Sequence, residues 1–410
     1  MSVETEQQHT LRDKILAQAG RGPFGAARIR TKKMDKDVIL EVQNLKKYFD
    51  IPIPFETTWF LVAFVGALVV FAFKALIGVI LMGAIAILYF VLPYVPPFNK
   101  RPRVAHLKAV DGINLKIKRG SIVGLVGESG CGKSTAAKTI IRLLEPTAGA
   151  VYFDGIDINR LTSEEMKEVR RHMQIVFQDP YASLNPRATA HDIIAEPYAI
   201  HGVASGDEVS YRVLKLLKDV GLAPHHAYRY PHEFSGGQRQ RLGIARALAL
   251  EPDFIVMDEP VSNLDVSVRA AIIQLILKLQ KQMGLTYLFI AHDLSLVRIL
   301  CDEVNVMYLG KIMESGLSEE IFEDMKHPYT KALISAVPIA DPTKRSKKIF
   351  LQGEIPTPIN PPPGCKFQTR CPLVSDICRV EEPPAKWFSK THVVYCHNVE
   401  GGETSPEAFE

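Results

Sequence analysis

The chain has 410 residues, 47% of them apolar, and a formal charge of +4. This length and apolar content exclude a disordered or fibrous protein and suffice for more than one domain. Basic residues scattered along the chain, rather than gathered in a stripe, exclude a nucleic-acid groove.

The opening MSVETEQQHTLRDKILAQAG has no apolar h-region, so no secretory signal is expected and the chain should stay in the cytoplasm. Residues 1–37 are polar, carry Arg28, Arg30, Lys32, Lys33 and Lys36, and are expected to form a solvated tail. From Val38 to Phe49 apolar and polar residues alternate as in a half-buried strand, and a strand pattern resumes at Ala109.

Residues 50–103, between those strands, are foreign in composition. Two apolar arms, 59–73 and 75–92, meet at a single charge, Lys74, and are bracketed by prolines at 52, 54, 93, 96 and 97. Such composition suits a membrane. At ~1.5 Å per residue the arms reach roughly 22 and 27 Å, against a hydrocarbon core of ~30 Å. Lys46 and Lys47 precede the segment and Lys100, Arg101, Arg103 and Lys108 follow it, so both ends belong on the cytoplasmic side and a membrane-type helical hairpin is expected. A tip that carries Lys74 to the far interface avoids a cost of about 3 kcal/mol at mid-bilayer. A hydrophobic hairpin buried against a partner, or lying along the interface, is the alternative.

SIVGLVGESGCGKSTAAKTI places the pattern GxxxxGK[ST] between an apolar strand and a helix. Its residues are Gly127, Glu128, Ser129, Gly130, Cys131, Gly132, Lys133 and Ser134, followed by Thr135. Glycines let backbone N–H groups and the helix N-terminus wrap around a phosphate. Lys133 is then expected to neutralise the β- and γ-phosphates of ATP and Ser134 to hold Mg²⁺. Cys131 reads as a small loop residue with no role of its own. Past the loop, strand and helix patterns alternate as in a parallel sheet covered by helices, with a helix-rich stretch from about 190 to 250. FIVMDE, residues 254–259, reads as a buried strand that delivers two carboxylates to a sheet edge. Two adjacent acids divide the labour: Asp258 for the metal, Glu259 for the attacking water.

Phe234-Ser235-Gly236-Gly237-Gln238, followed by RQRLGIARAL, resembles the signature of the ABC ATPases. Other motifs of that family follow in order: Gln178 in IVFQDP resembles the Q-loop, Ser262 to Asp265 the D-loop, and His292 in LFIAHD the switch histidine. The resemblance implies an α/β fold of the ABC-type P-loop NTPase kind, a RecA-like core sheet plus a helical subdomain, over residues 38–325 with the insert at 50–103. It implies that Glu259, His292 and Gln178 are catalytic and that Ser134, Gln178 and Asp258 hold Mg²⁺. It also implies that Phe49, with Tyr48 as the second choice, stacks on adenine. Ser235, Gly236, Gly237, Gln238 and Asp265 would serve ATP held by the phosphate loop of a second ATPase subunit. Asn263 departs from the small residue common in the D-loop, which bears on communication between subunits rather than on hydrolysis.

QDPYASLNPR, HPYTKALISAVP and GEIPTPINPPPGCKFQTRCP resemble segments of oligopeptide and dipeptide importer ATPases, a group that also serves nickel and oligosaccharides. This resemblance implies a C-terminal importer-type domain at 326–410, a separate cysteine-containing appendage. It implies a related, non-identical second ATPase, two permease subunits, an extracytoplasmic substrate-binding protein and no nucleic acid. The place implied is the cell membrane, with the ATPase domain on the cytoplasmic side. Cys365, Cys371, Cys378 and Cys396 have five, six and seventeen residues between them, without the CxxC knuckles of structural zinc. Four thiolates suffice for a [4Fe-4S] cluster, which the resemblance supports; packed or disulfide-bonded cysteines are the plainer alternative. The function expected is ATP hydrolysis that energises import of oligopeptides or dipeptides. A membrane-anchored ABC protein that regulates without transporting is one rival; a soluble ABC ATPase acting on DNA or ribosomes is another, but it lacks here a coiled-coil arm or a second ATPase domain.

Overall fold

The computed structural model describes residues 11, 14–15, 29–52, 75–91, 104–337 and 348–409. Its strands are, in chain order, β1 (Val38–Pro52), β2 (Val104–Lys118), β3 (Ile122–Val126), β4 (Ala148–Phe153), β5 (Ile156–Asp157), β6 (Met173–Val176), β7 (Phe254–Asp258), β8 (Thr286–Ala291), β9 (Glu303–Tyr308), β10 (Lys311–Leu317), β11 (Ala385–Trp387) and β12 (Val393–Tyr395). The described helices of seven residues or more are α1 (Ala75–Val91), α2 (Lys133–Ile140), α3 (Ser163–His172), α4 (Ala190–His201), α5 (Asp207–Asp219), α6 (Gly236–Leu248), α7 (Val266–Met283), α8 (Leu294–Leu300) and α9 (Pro328–Ser335). By packing, residues 1–47 and 108–410 form one unit and residues 48–107 another.

The larger sheet runs β11-β12-β10-β9-β3-β8-β7-β6, and its centre, from β9 to β6, is parallel. Side-chain alternation makes it a two-faced wall. Ile122, Val126, Ile255, Met257, Tyr287 and Phe289 enter one core, which they share with α4 to α8. Val123, Leu125, Phe254, Val256, Leu288 and Ile290 enter the other, with Ala136, Ala137 and Ile140 of α2 and residues of the smaller sheet, β2-β1-β4-β5. Phe254 and Phe289 are fully buried, so truncating either to Ala should cost about 3–5 kcal/mol. Helix starts are set locally. Thr162 with Glu165, Thr189 with Asp192, and Ser235 with Gln238 each form a reciprocal capping box at the head of α3, α4 and α6.

Four expectations need correction. The stretch before β1 is no solvated tail where it is described: Leu11, Ile15 and Ile29 lie in the core, Thr31 bridges Ile156, and Lys32 N–H donates to Gly155 O at 2.8 Å. The apolar residues of that stretch outweighed its basic composition.

The insert's first arm, 59–73, lies outside the described residues. Its second arm does form a helix, α1, but one of 17 residues, about 26 Å at ~1.5 Å per residue. No helix among the described residues is long and apolar enough to cross a membrane. Within its own unit α1 presents Val79, Ile80 and Ile87 to the outside.

The C-terminal residues are not a separate appendage. β12 pairs antiparallel with β10 and β11 with β12, so backbone bonding makes them the edge of the main sheet.

The fourth correction concerns the cysteines. All four are free; Cys365, Cys378 and Cys396 are buried. Among the described residues no group of three or more His, Cys, Asp or Glu is arranged to hold a metal, so the four-thiolate cluster is not found. Two of the sulfurs take part in hydrogen bonds: Leu373 N–H donates to Cys371 Sγ at 3.4 Å, and Ser375 Oγ lies 3.3 Å from Cys378 Sγ. Burial pushes Cys365 up to about 11, which keeps it a neutral thiol at neutral pH.

Candidate active site

β3 ends at Val126 and α2 begins at Lys133, leaving six residues to turn through the phosphate loop. The turn needs glycine at Gly127 (φ 151°) and Gly132 (φ 108°). Space demands it too: a Cβ on Gly127 would meet Met307 O at 2.1 Å, and one on Gly132 would meet Ala109 O at 2.1 Å. Ser129 and Gly130 are exposed at the tip. Cys131 is 4% exposed and packs into the core beneath the loop, as a small residue should. Lys133 is buried, and its ammonium donates to Gly127 O at 2.9 Å and Glu128 O at 3.0 Å. A cation held in the mouth of the loop by two neutral carbonyls is poised to exchange them for phosphate oxygens.

Opposite α2, β7 delivers its acids as expected. Ser134 Oγ donates to Asp258 Oδ1 at 2.8 Å, uniting residues 124 positions apart. Burial raises the Asp258 pKa, against the lowering effect of that bond and of Lys138 and Lys133. The following residue leaves the strand abruptly. Glu259 adopts φ 45°, a conformation that costs a non-glycine residue on the order of 1 kcal/mol and clusters at functional sites. Its N–H donates to Ile290 O at 3.1 Å, and its carbonyl accepts from Ser262 Oγ at 3.1 Å, which fixes the turn. The carboxylate then meets both other catalytic candidates: Gln178 Nε2 donates to Oε2 at 2.8 Å, and His292 Nδ1 lies 3.4 Å from the same oxygen. Gln178 and His292 are exposed, so this corner is open to a reactant.

The D-loop joins the same corner through a residue that its motif does not include. Arg269 of α7 donates to Leu264 O at 3.4 Å and to Asp293 Oδ2 at 3.2 Å, bracketing the D-loop and the residue after the switch histidine. Asp265, exposed, ends the D-loop as the N-cap of α7, where Arg269 N–H donates to its carbonyl at 2.8 Å.

Signature residues form a different kind of structure. Ser235 Oγ accepts from Gln238 N–H at 3.3 Å while Gln238 Oε1 accepts from Ser235 N–H at 3.0 Å. Gly237 is buried against α7, where a Cβ would come 2.3 Å from Val268 Cγ1, and a Cβ on Gly236 would come 3.4 Å from Leu264 Cδ2. Glycine here is a matter of packing against α7 and the D-loop. Phe49 lies in β1, within the unit of residues 48–107.

Sequence reasoning missed the partners of Glu128. Its carboxylate is gripped by Arg370 and its N–H by the hydroxyl of Tyr329, both from the C-terminal segments quoted only as family markers. An acidic side chain inside a phosphate-binding loop was the available signal.

Residues 110–262 match the family model for the ABC transporter, and residues 313–378 match that for the oligopeptide/dipeptide transporter C-terminal region. The oligopeptide transport ATP-binding protein AppF of Bacillus subtilis is 52% identical over 298 residues, 72% of this chain and 91% of that protein. OppF of Salmonella typhimurium, with the same description, is 52% identical over 297 residues, 72% of this chain and 89% of that protein. Among solved structures, a dimer of the ATP-binding cassette MJ0796 in a post-hydrolysis state with ADP and Pi shares 28% identity at a TM-score of 0.51, over 68% of this chain and 99% of that one. With its loop, acids and signature in place and relatives of this identity aligned over nearly their whole length, the chain belongs to the ATP-binding subunits of ABC transporters, in the oligopeptide/dipeptide branch.

Proposed function

We propose that the chain hydrolyses ATP to energise an importer of oligopeptides or dipeptides, with Glu259 as the base that polarises the attacking water. The observation that carries this reading is the convergence of Gln178, Glu259 and His292 at the end of β7, beside the Ser134–Asp258 pair. Gln178 holds one carboxylate oxygen of Glu259, which orients the group while leaving its second oxygen for water. Ser134 and Asp258 place two hard oxygens side by side, a donor set that suits Mg²⁺, and Gln178 supplies a third oxygen ligand. When bound, Mg²⁺ neutralises charge on the phosphate oxygens. Lys133 moves its ammonium from the loop carbonyls to the β- and γ-phosphates, and the N–H groups from Ser129 to Thr135 line the same anion. Phe49 stacks on adenine.

Ser235, Gly236, Gly237, Gln238 and Asp265 complete the site of a second, related ATPase subunit, and two permeases receive the closing motion. A dimeric cassette among the solved structures supports the pairing. Peptide as cargo is supported by the names of the relatives and by the match of residues 313–378. The complex then sits at the membrane with this domain on the cytoplasmic side, and an extracytoplasmic binding protein delivers cargo. Purified with its permeases in vesicles, the complex should release phosphate steadily and faster when peptide-loaded binding protein is added. Stimulation by nickel or an oligosaccharide and not by peptide would replace the cargo, and no release under any condition would favour a regulatory ATP-binding protein.

A further inference from the structure

Glu128, the second residue of the phosphate loop, is held almost entirely from outside the loop. Arg370 grips its carboxylate with both ends of the guanidinium, Nη1 to Oε2 at 2.6 Å and Nη2 to Oε1 at 3.1 Å. Its N–H donates to Tyr329 Oη at 3.0 Å. Only its carbonyl stays within the loop, accepting from Lys133 Nζ at 3.0 Å.

The grip is rigid. Arg370 has 8% of its side chain exposed, and its guanidinium lies 5.9 Å from the centre of the Tyr308 ring. Tyr329 and Phe367 are fully buried, and the rings of Tyr308, Tyr329 and Phe367 pack mutually with centroids 4.8 to 5.3 Å apart. Tyr329 sits in the first turn of a helix, α9 (Pro328–Ser335), whose N-cap His327 accepts the Tyr329 N–H at 3.0 Å. Arg370 follows Phe367 in a turn closed by Arg370 N–H to Phe367 O at 3.0 Å. Two pieces of the C-terminal region thus converge on one residue of the loop.

A charge-assisted, bidentate pair with little exposure is a strong and directional contact. Its direction matters. With the Glu128 N–H tied to Tyr329, the free donors of the loop begin at Ser129, and the Glu128 carbonyl faces Lys133. We propose that Arg370 and Tyr329 are positioning residues for nucleotide binding: they set the entrance of the phosphate loop, so that the C-terminal region and the bound phosphate act on each other through Glu128. This rests on the reading of the loop as the ATP site.

The test is equilibrium binding of ATP to the full chain, with thermal unfolding of the nucleotide-free protein measured in parallel. Wild-type binding checks the ATP-site reading by itself; no binding overturns both. Given binding, Glu128→Gln and Arg370→Gln should each weaken ATP by about tenfold, Tyr329→Phe by less, and the Glu128→Gln, Arg370→Gln double variant by no more than about twofold beyond either single one. Arg370→Lys, which keeps the charge but not the fork, should recover part of the loss. Unchanged affinity in Glu128→Gln overturns the proposal, whether or not its melting temperature falls. So does an effect in the double variant equal to the product of the two single ones. Should Arg370→Gln fail to fold, Glu128→Gln and Tyr329→Phe decide the matter.

Discussion

The phosphate-loop side of this ATPase and its signature side are built on different principles. Lys133, Ser134, Gln178, Asp258, Glu259 and His292 come from four separate stretches of chain, and their bonds span up to 124 positions. Ser235 and Gln238 bond each other across three, and their glycine neighbours rest on α7 and the D-loop. The first side is a product of the whole fold. The second is a local cap, finished within its own helix, and so can be presented ready-made to a partner.

The largest effect expected is on the first side. Glu259→Gln should lower ATP turnover by at least ~100-fold while ATP affinity stays within about threefold, read by phosphate release and by equilibrium binding; normal hydrolysis would remove Glu259 as the base. On the second side, Gly237→Ala drives a Cβ to 2.3 Å from Val268 Cγ1. Overpacking of this kind should cost about 1–3 kcal/mol in urea unfolding, most of it recovered by Val268→Ala in the same chain; a single variant of wild-type stability would break the packing argument. Ser235→Ala should cost ~1 kcal/mol through the lost cap, with hydrolysis by the assembled complex falling and nucleotide binding to the free chain unchanged. If free-chain binding weakened as well, the two sides would not be separable as described.

A change confined to mildly acid pH probes how far the support of the phosphate loop reaches. Burial pushes His327, 1% exposed beneath Tyr329, down to about 4, against a lesser raising effect of Glu314. The unfolded chain holds this histidine near 6.5, so between about 4 and 6.5 the unfolded state binds more protons and stability rises with pH. The stability is complete above that window and falls on acidification through it, by at most ~1.4 kcal/mol per pH unit from this group. His327→Asn, which can still cap α9, should flatten the slope of melting temperature against pH across that window. An unaltered slope would assign the acid sensitivity elsewhere.

Legibility in the sequence followed contact distance. The glycines of the loop and the two acids after FIVM are local patterns, and each sits where its spacing placed it; the capping box of the signature, found only in the structure, is local too. Glu259's positive φ, the brace from Arg269 to Leu264 and Asp293, and the grip of Arg370 on Glu128 across 242 positions have no local pattern to betray them. Composition misled in two ways. Apolar content foretold α1 to within a residue but read it as a membrane span, and four cysteines that do gather near one another suggested a cluster for which their sulfurs are not arranged. The strands at the C-terminus were hidden for a third reason: three-residue strands carry almost no period.

β1 and β2 are hydrogen-bonded neighbours, and the chain leaves the sheet after Pro52 and rejoins it at Val104. Because the strands on either side of the segment are neighbours in one sheet, the intervening length weighs little on the fold: each doubling of a loop costs only about 0.6 kcal/mol. Such a sheet edge works as a socket. A longer or shorter connection can be plugged there at little cost to the strands that carry the ATP-splitting chemistry.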